Sequence, residues 1–319
     1  MTVTEQKCVK PGSVNIEQPK YDQSTYIGRA MHFFSITNPL NIFTSDTELE
    51  RCANIVKKYR NKEKLPGCVT EEELWNAKQL YDSAYHPDTG ERMFVLGRMS
   101  AQVPMNTLIT GGMMVFYKGT FNTIFWQWLN QSFNAMVNYT NRSGSAKISD
   151  KQLLTSYICA TGGAVATALT LNQLAKKAPP IVSRFVPFAA VAASNMINIP
   201  FMRAQELKDG LLVVDEKDRP MGYSKIAAQK AISAVTFSRI FMALPGMVLT
   251  PFVMNHLERR GTLCRYPWMA IPMQCGLLAI CLTFATPMCC AMFRQKSEIC
   301  AKICAFRNAP KVVYYNKGL

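Results

Sequence analysis

Residues 126–141 read WQWLNQSFNAMVNYTN. Gln127, Asn130, Gln131, Asn134, Asn138 and Asn141 recur there at steps of three and four, so a helix would stack them into one stripe of amides. Trp126, Phe133, Met136 and Val137 fall on other faces. A soluble core has little use for so many buried amides, because each costs free energy unless it finds a partner. A membrane protein that handles a polar solute does have a use for them, and the stretch follows the first of several apolar spans. The fold expected on this reading is all-α and polytopic. It has about five transmembrane helices, some broken by Pro or Gly, and an N-terminal extramembrane helical region.

The charge distribution agrees with that division. Residues 1–98 hold 13 Lys+Arg and 13 Asp+Glu, so the whole net charge of +15 lies in the remainder, where the long apolar runs are. Basic residues beside apolar spans suit anionic lipid headgroups. They are scattered between the runs rather than clustered, which argues against nucleic-acid binding. The 11 cysteines include no CxxC pair and no Cys/His cluster at zinc spacing, and they are read as free thiols acting as small apolar residues. The first 25 residues contain Glu5, Glu17 and Asp22 and no apolar run, so no cleavable targeting segment is expected.

Three segments are expected: an extramembrane helical region at 1–98, a transmembrane domain at 99–293 and a polar tail at 294–319. In the first, Ser45 with Glu48 and Thr70 with Glu73 each have capping-box spacing ahead of an amphipathic helix. His86-Pro87-Asp88-Thr89-Gly90 reads as a turn rather than as acid/base machinery. Spans are expected near 99–116, 153–174, 181–202, 226–253 and 268–293. Residues 203–225 read as a solvent loop. Gly111-Gly112, Gly162-Gly163, Pro187, Pro200 and Pro245-Gly246 are expected flexible or close-packing points.

Long strings in this chain resemble the sideroflexin family: YDSAYHPDTGERM (81–93), GRMSAQVPMN (97–106), FWQWLNQSFNAMVNYTNRSG (125–144), RFVPFAAVAASNMINIPFMRAQEL (184–207), SRIFMALPGM (238–247) and the terminal YNKGL (315–319). The resemblance runs from about Tyr21 to Leu319 and is nearest to the serine-transporting subgroup. It implies a five-span protein of the mitochondrial inner membrane that moves serine, and related alanine, cysteine and glycine, in support of one-carbon metabolism. Older usage for the family implies a tricarboxylate carrier of citrate. Links to iron homeostasis and a scaffold role in respiratory-complex assembly are further alternatives. Neither an enzyme activity nor a cofactor nor a metal is expected. The partners expected are small amino acids and membrane lipids.

The family supplies no agreed set of site residues, so candidates follow from chemistry. Serine is a zwitterion with a hydroxyl: its carboxylate needs donors and its ammonium needs acceptors, and Asn and Gln supply both. The candidate ligands are Gln127, Asn130, Asn134 and Asn138 of the stripe, Gln102 and Asn106 of the first span, and Asn195 and Asn198 before Pro200. Arg239 joins them, because an intramembrane arginine is expensive and a guanidinium can hold a carboxylate. Arg184 lies near a span end and Lys230 reads as interfacial. A citrate carrier would need two or more such cations facing its cavity.

Overall fold

The computed structural model describes residues 8–10, 12–86, 89–116, 119–141, 150–175, 185–217, 219–300 and 312–317, with backbone only at 150, 152, 153 and 175. The chain divides into two compact units, Met1–Val103 with Met136–Ala146, and Pro104–Ala135 with Lys147–Leu319.

In the first unit, α1 (Tyr26–Ile36), α2 (Asp46–Arg60) and α3 (Glu71–Ala84) form because apolar residues recur at helical spacing behind N-capping hydroxyls. Thr70 and Glu73 make the full reciprocal capping box. At α2 only half of the expected box forms: Ser45 Oγ accepts from the Glu48 amide, while the Glu48 carboxylate turns to Arg51. Leu49, Cys52, Val56 and Tyr59 of α2 meet Leu74, Ala77, Tyr81 and Ala84 of α3 in one core. Burial and the nearby Glu48 push the Cys52 thiol up to about 11, which leaves it inert as a nucleophile. The described part of the 86–90 segment turns as expected. The Gly90 amide donates to the His86 carbonyl at 2.9 Å, and Gly90 takes φ +67°; Pro87 and Asp88 lie outside the described residues.

The reading of all cysteines as free needs correction. Cys8 and Cys68 form a disulfide with Cα atoms 5.1 Å apart, beside a backbone bond from the Val9 amide to the Val69 carbonyl. Sixty residues separate the two cysteines, so only tertiary folding brings them within reach. The other described cysteines are free.

The second unit holds α4 (Gln102–Val115), of which the first two residues belong to the first unit, and most of α5 (Thr120–Thr140). These are followed by α6 (Asp150–Ala175), α7 (Val186–Met202) and the short α8 (Ala204–Asp209). Next come α9 (Lys225–Arg259), the short α10 (Thr262–Arg265) and α11 (Ala270–Cys290). Segments Leu154–Leu174, Lys225–Arg259 and Pro267–Cys290 are long and apolar enough to cross a membrane. Their outward side chains agree: Leu154, Ile158, Phe237, Phe241, Phe252, Ile280 and Phe284 are exposed large hydrophobics. The expected first span is shorter than read. Helix α4 has 14 residues, roughly 21 Å of rise against an apolar bilayer core of about 30 Å. The expected third span forms α7, and its portion 181–184, including Arg184, lies outside the described residues.

Helices α6 and α7 meet through small residues. Ala160, Ala164 and Ala168 of α6 are buried, and a Cβ built on Gly163 would stand 3.1 Å from Ile197 Cγ2. Helices α9 and α11 meet where Gly246 makes room for Leu278.

The expectation of an all-α chain also needs correction: the second unit carries a four-stranded antiparallel sheet in the order β2-β1-β4-β3. Strands β1 (Leu211–Val214) and β2 (Pro220–Ser224) form a hairpin from the stretch read as a solvent loop. Strands β3 (Lys296–Cys300) and β4 (Val312–Asn316) come from the stretch read as a polar tail. Each strand has four or five residues, too few for a clear alternating signal, and β1 pairs with β4 a hundred residues away through Val213↔Tyr315. The start of α9 packs on this sheet: Ala227 and Ala231 are buried with Val213, Ile299, Val313 and Tyr315.

Candidate functional site

A cavity in the second unit gathers residues from five helices: same-face pairs one turn apart from four of them, and four residues from the fifth. Helix α4 supplies Asn106 and Thr110, α5 Asn130 and Asn134, and α7 Val191 and Asn195. Arg239, Met242, Ala243 and Met247 come from α9, and Leu278 and Leu282 from α11. The empty volume is about 510 Å³, including space continuous with the outside.

The polar side chains here are poorly matched within the protein. Arg239 makes no ion pair or hydrogen bond among the described residues, and neither do the side chains of Asn130, Asn134 and Asn195. Asn130 is only 5% exposed. A guanidinium and three amides without protein partners, lining one space and half-buried or buried, make it a candidate binding site. The guanidinium offers a planar fork of donors to a carboxylate, and the amides offer carbonyl acceptors and N–H donors. Met242, Met247, Leu278 and Leu282 make the rest of the wall apolar.

Five of the nine candidate ligands therefore line this cavity: Asn106, Asn130, Asn134, Asn195 and Arg239. The other four lie elsewhere. Gln102, at the start of α4, and Asn138, in the last turn of α5, fall in the first unit. Asn198 is committed to α5, donating through Nδ2 to Gln131 Oε1 at 2.7 Å. Gln131 in turn donates to Ser194 Oγ, so Gln131, Ser194 and Asn198 form a buried clamp between α5 and α7. Gln127 lines a separate space. Sequence reasoning passed over Thr110, although it stands four residues after Asn106 and shares its face; Leu278 and Leu282 carried no signal at all. Lys230 is exposed near the start of α9 and is absent from the lining.

Apolar helices surrounding a polar cavity with one cation in its described lining define a helical membrane protein with an internal polar site. The chain belongs to the sideroflexin family: the family model described as Sideroflexins matches residues 15–319. It is 55% identical to Sideroflexin-1 of Homo sapiens over 97% of this chain and 98% of that protein. It is 54% identical to Sideroflexin-3 of Homo sapiens over 97% of this chain and 99% of that protein. Identity to Sideroflexin-3 of Mus musculus is also 54%, with the same coverage. No solved structure matches the chain.

Proposed function

We propose that this protein is a carrier, not an enzyme, that moves small neutral amino acids, serine foremost, across the mitochondrial inner membrane and so supplies one-carbon chemistry. The observation that carries the reading is the unpaired Arg239 facing Asn130, Asn134 and Asn195 across one cavity. Arg239 takes the carboxylate of the zwitterion, while amide carbonyls take its ammonium and the serine hydroxyl. One cation matches one carboxylate. A citrate carrier would need more positive charge than the described lining holds, which favours the neutral solute.

About five crossings fit the helices if α5, α6, α7, α9 and α11 traverse the bilayer and the short α4 enters only part of it. Phe121, Ile124, Phe125 and Trp128 give α5 an exposed apolar face of its own, although its amides lower its average hydropathy. The expected breaks at proline do not form: Pro200 in α7 and Pro245 and Pro251 in α9 sit inside continuous helices that line the cavity, where each removes a backbone donor and offers a point of bending for alternating access.

Uptake of labelled serine into proteoliposomes tests this. Saturable uptake is expected, blocked by unlabelled alanine and unaffected by citrate. Arg239→Gln should cut it roughly 10- to 100-fold, the worth of a hydrogen bond to a charged group. Absence of uptake by folded wild-type protein, or competition by citrate alone, overturns the reading.

A further inference from the structure

A second polar cavity lies along the same helices, and it has a chemistry of its own. Its lining combines Met113 and Phe116 of α4 with Asn122, Thr123, Trp126 and Gln127 of α5. Ala168 and Asn172 of α6 and Val186, Pro187 and Ala190 of α7 complete it. Its empty volume is about 300 Å³, including space continuous with the outside. Helices α4, α5 and α7 line both cavities, and the residues they contribute to each differ by about one to two turns. A step of seven residues corresponds to roughly 10 Å along a helix axis.

Three observations make this space a site. Gln127 is only 3% exposed, yet its Oε1 has no hydrogen-bond partner among the described residues. Its amide nitrogen meets nothing better than the thioether of Met113, Nε2 to Sδ 3.7 Å, a weak acceptor. Opposite, Asn172 donates through Nδ2 to Thr123 Oγ1 at 2.7 Å, and Thr123 passes its own proton to the Gly119 carbonyl at 3.0 Å. That chain of donors orients the Asn172 carbonyl as an acceptor with no partner among the described residues. Two acceptors are thus presented to a cation or a hydroxyl. The third observation supplies the complementary pole. Val186 and Pro187 open α7, and its N-cap Phe185 provides no side-chain cap. The positive end of that helix dipole faces the same space through Val186, Pro187 having no N–H to offer, together with the first turn of α5 at Asn122 and Thr123.

We propose that this cavity is a second binding station for the zwitterionic solute. Gln127 and Asn172 hold the ammonium, and the helix N-terminus of α7 holds the carboxylate. The proposal rests on the carrier reading and deepens it: solute occupies two places in tandem, one built around a cation and one built without any formal charge. A station without formal charge suits a net-neutral zwitterion: its amide acceptors match the ammonium and its helix end matches the carboxylate.

The test counts bound solute. Purified full-length protein in lipid nanodiscs is titrated with radiolabelled serine, and the saturating stoichiometry is read with a melting curve as the control for folding. Two serines per chain are expected for wild type. Gln127→Met and Asn172→Leu, placed on different helices, should each reduce the count to one, as should Arg239→Gln. One serine per wild-type chain, lost in Arg239→Gln and kept in Gln127→Met, overturns the second station and leaves the carrier reading standing. Two serines retained in both Gln127→Met and Asn172→Leu also overturns it. No binding by folded wild type overturns both readings together.

Discussion

Gly162 and Gly163 are adjacent on α6 and do different things. A Cβ on Gly162 would meet nothing within 4 Å, whereas one on Gly163 would press on Ile197. Gly246 is tighter still, with Leu278 Cδ1 2.6 Å from the position of its missing Cβ. Gly162→Ala is therefore expected to leave stability unchanged or raise it by up to about 1 kcal/mol through helix propensity. Gly246→Ala should lower stability by up to about 1 kcal/mol, because Leu278 must rotate its terminal methyl away from the added Cβ. Melting curves of the two variants in the same detergent check the contrast. The same divergence governs the amides. Asn130 and Gln131 are neighbours in the stripe, yet one faces the cavity and the other clamps Ser194 and Asn198. Their spacing told which side chains share a helix face. It did not tell which face would meet solute and which would meet a neighbouring helix.

At the scale of elements, the β1–β2 hairpin depends on Asp215. Its Oδ1 accepts from the amides of Lys217 and Arg219 at 2.8 and 2.9 Å, and its Oδ2 accepts from the Arg219 guanidinium at 2.8 Å. The backbone bond from Arg219, ahead of its guanidinium, holds the Asp215 carboxyl below the usual carboxylate range. A depressed folded value contributes stability that is present above the ordinary carboxylate pKa and is lost as pH falls through the folded one. Hydrogen-exchange protection of the Lys217 and Arg219 amides should therefore hold at neutral pH and fade from about pH 4 downward. In Asp215→Asn it should be weaker throughout and lose that acid dependence. Protection that is equal in both proteins at pH 7 would show that the carboxylate does not organise the turn. This sheet was the part of the fold least legible beforehand. Strands such as LLVV and VVYYN are short, and the pairing that makes them strands joins residues far apart in the chain. The helices of the first unit were legible, because Thr70 with Glu73 and the apolar spacing behind them are local signals.

For the whole molecule, a solute that binds the folded state must stabilise it. Serine at about 100 times its dissociation constant should add roughly 2.7 kcal/mol per site, seen as a rise in melting temperature. Arg239→Gln should lose one site's share of that rise, and citrate should produce none. A serine-independent melting temperature in wild type would instead favour a scaffold. By itself the sequence determined the mostly helical membrane class and the family, because apolar runs and near-verbatim strings are read directly along the chain. It also marked Asn106, Asn130, Asn134, Asn195 and Arg239 as worth following, since uncompensated polar groups in apolar surroundings are conspicuous on chemical grounds. Only the tertiary structure decided that these five share one cavity, that Gln127 belongs to another and that Asn198 serves as a clamp. Helical periodicity assigns a residue to a face, whereas what that face meets depends on helices packed from distant parts of the chain. The same holds for the sheet and for Cys8 with Cys68, whose partners are chosen by folding and not by neighbourhood in sequence.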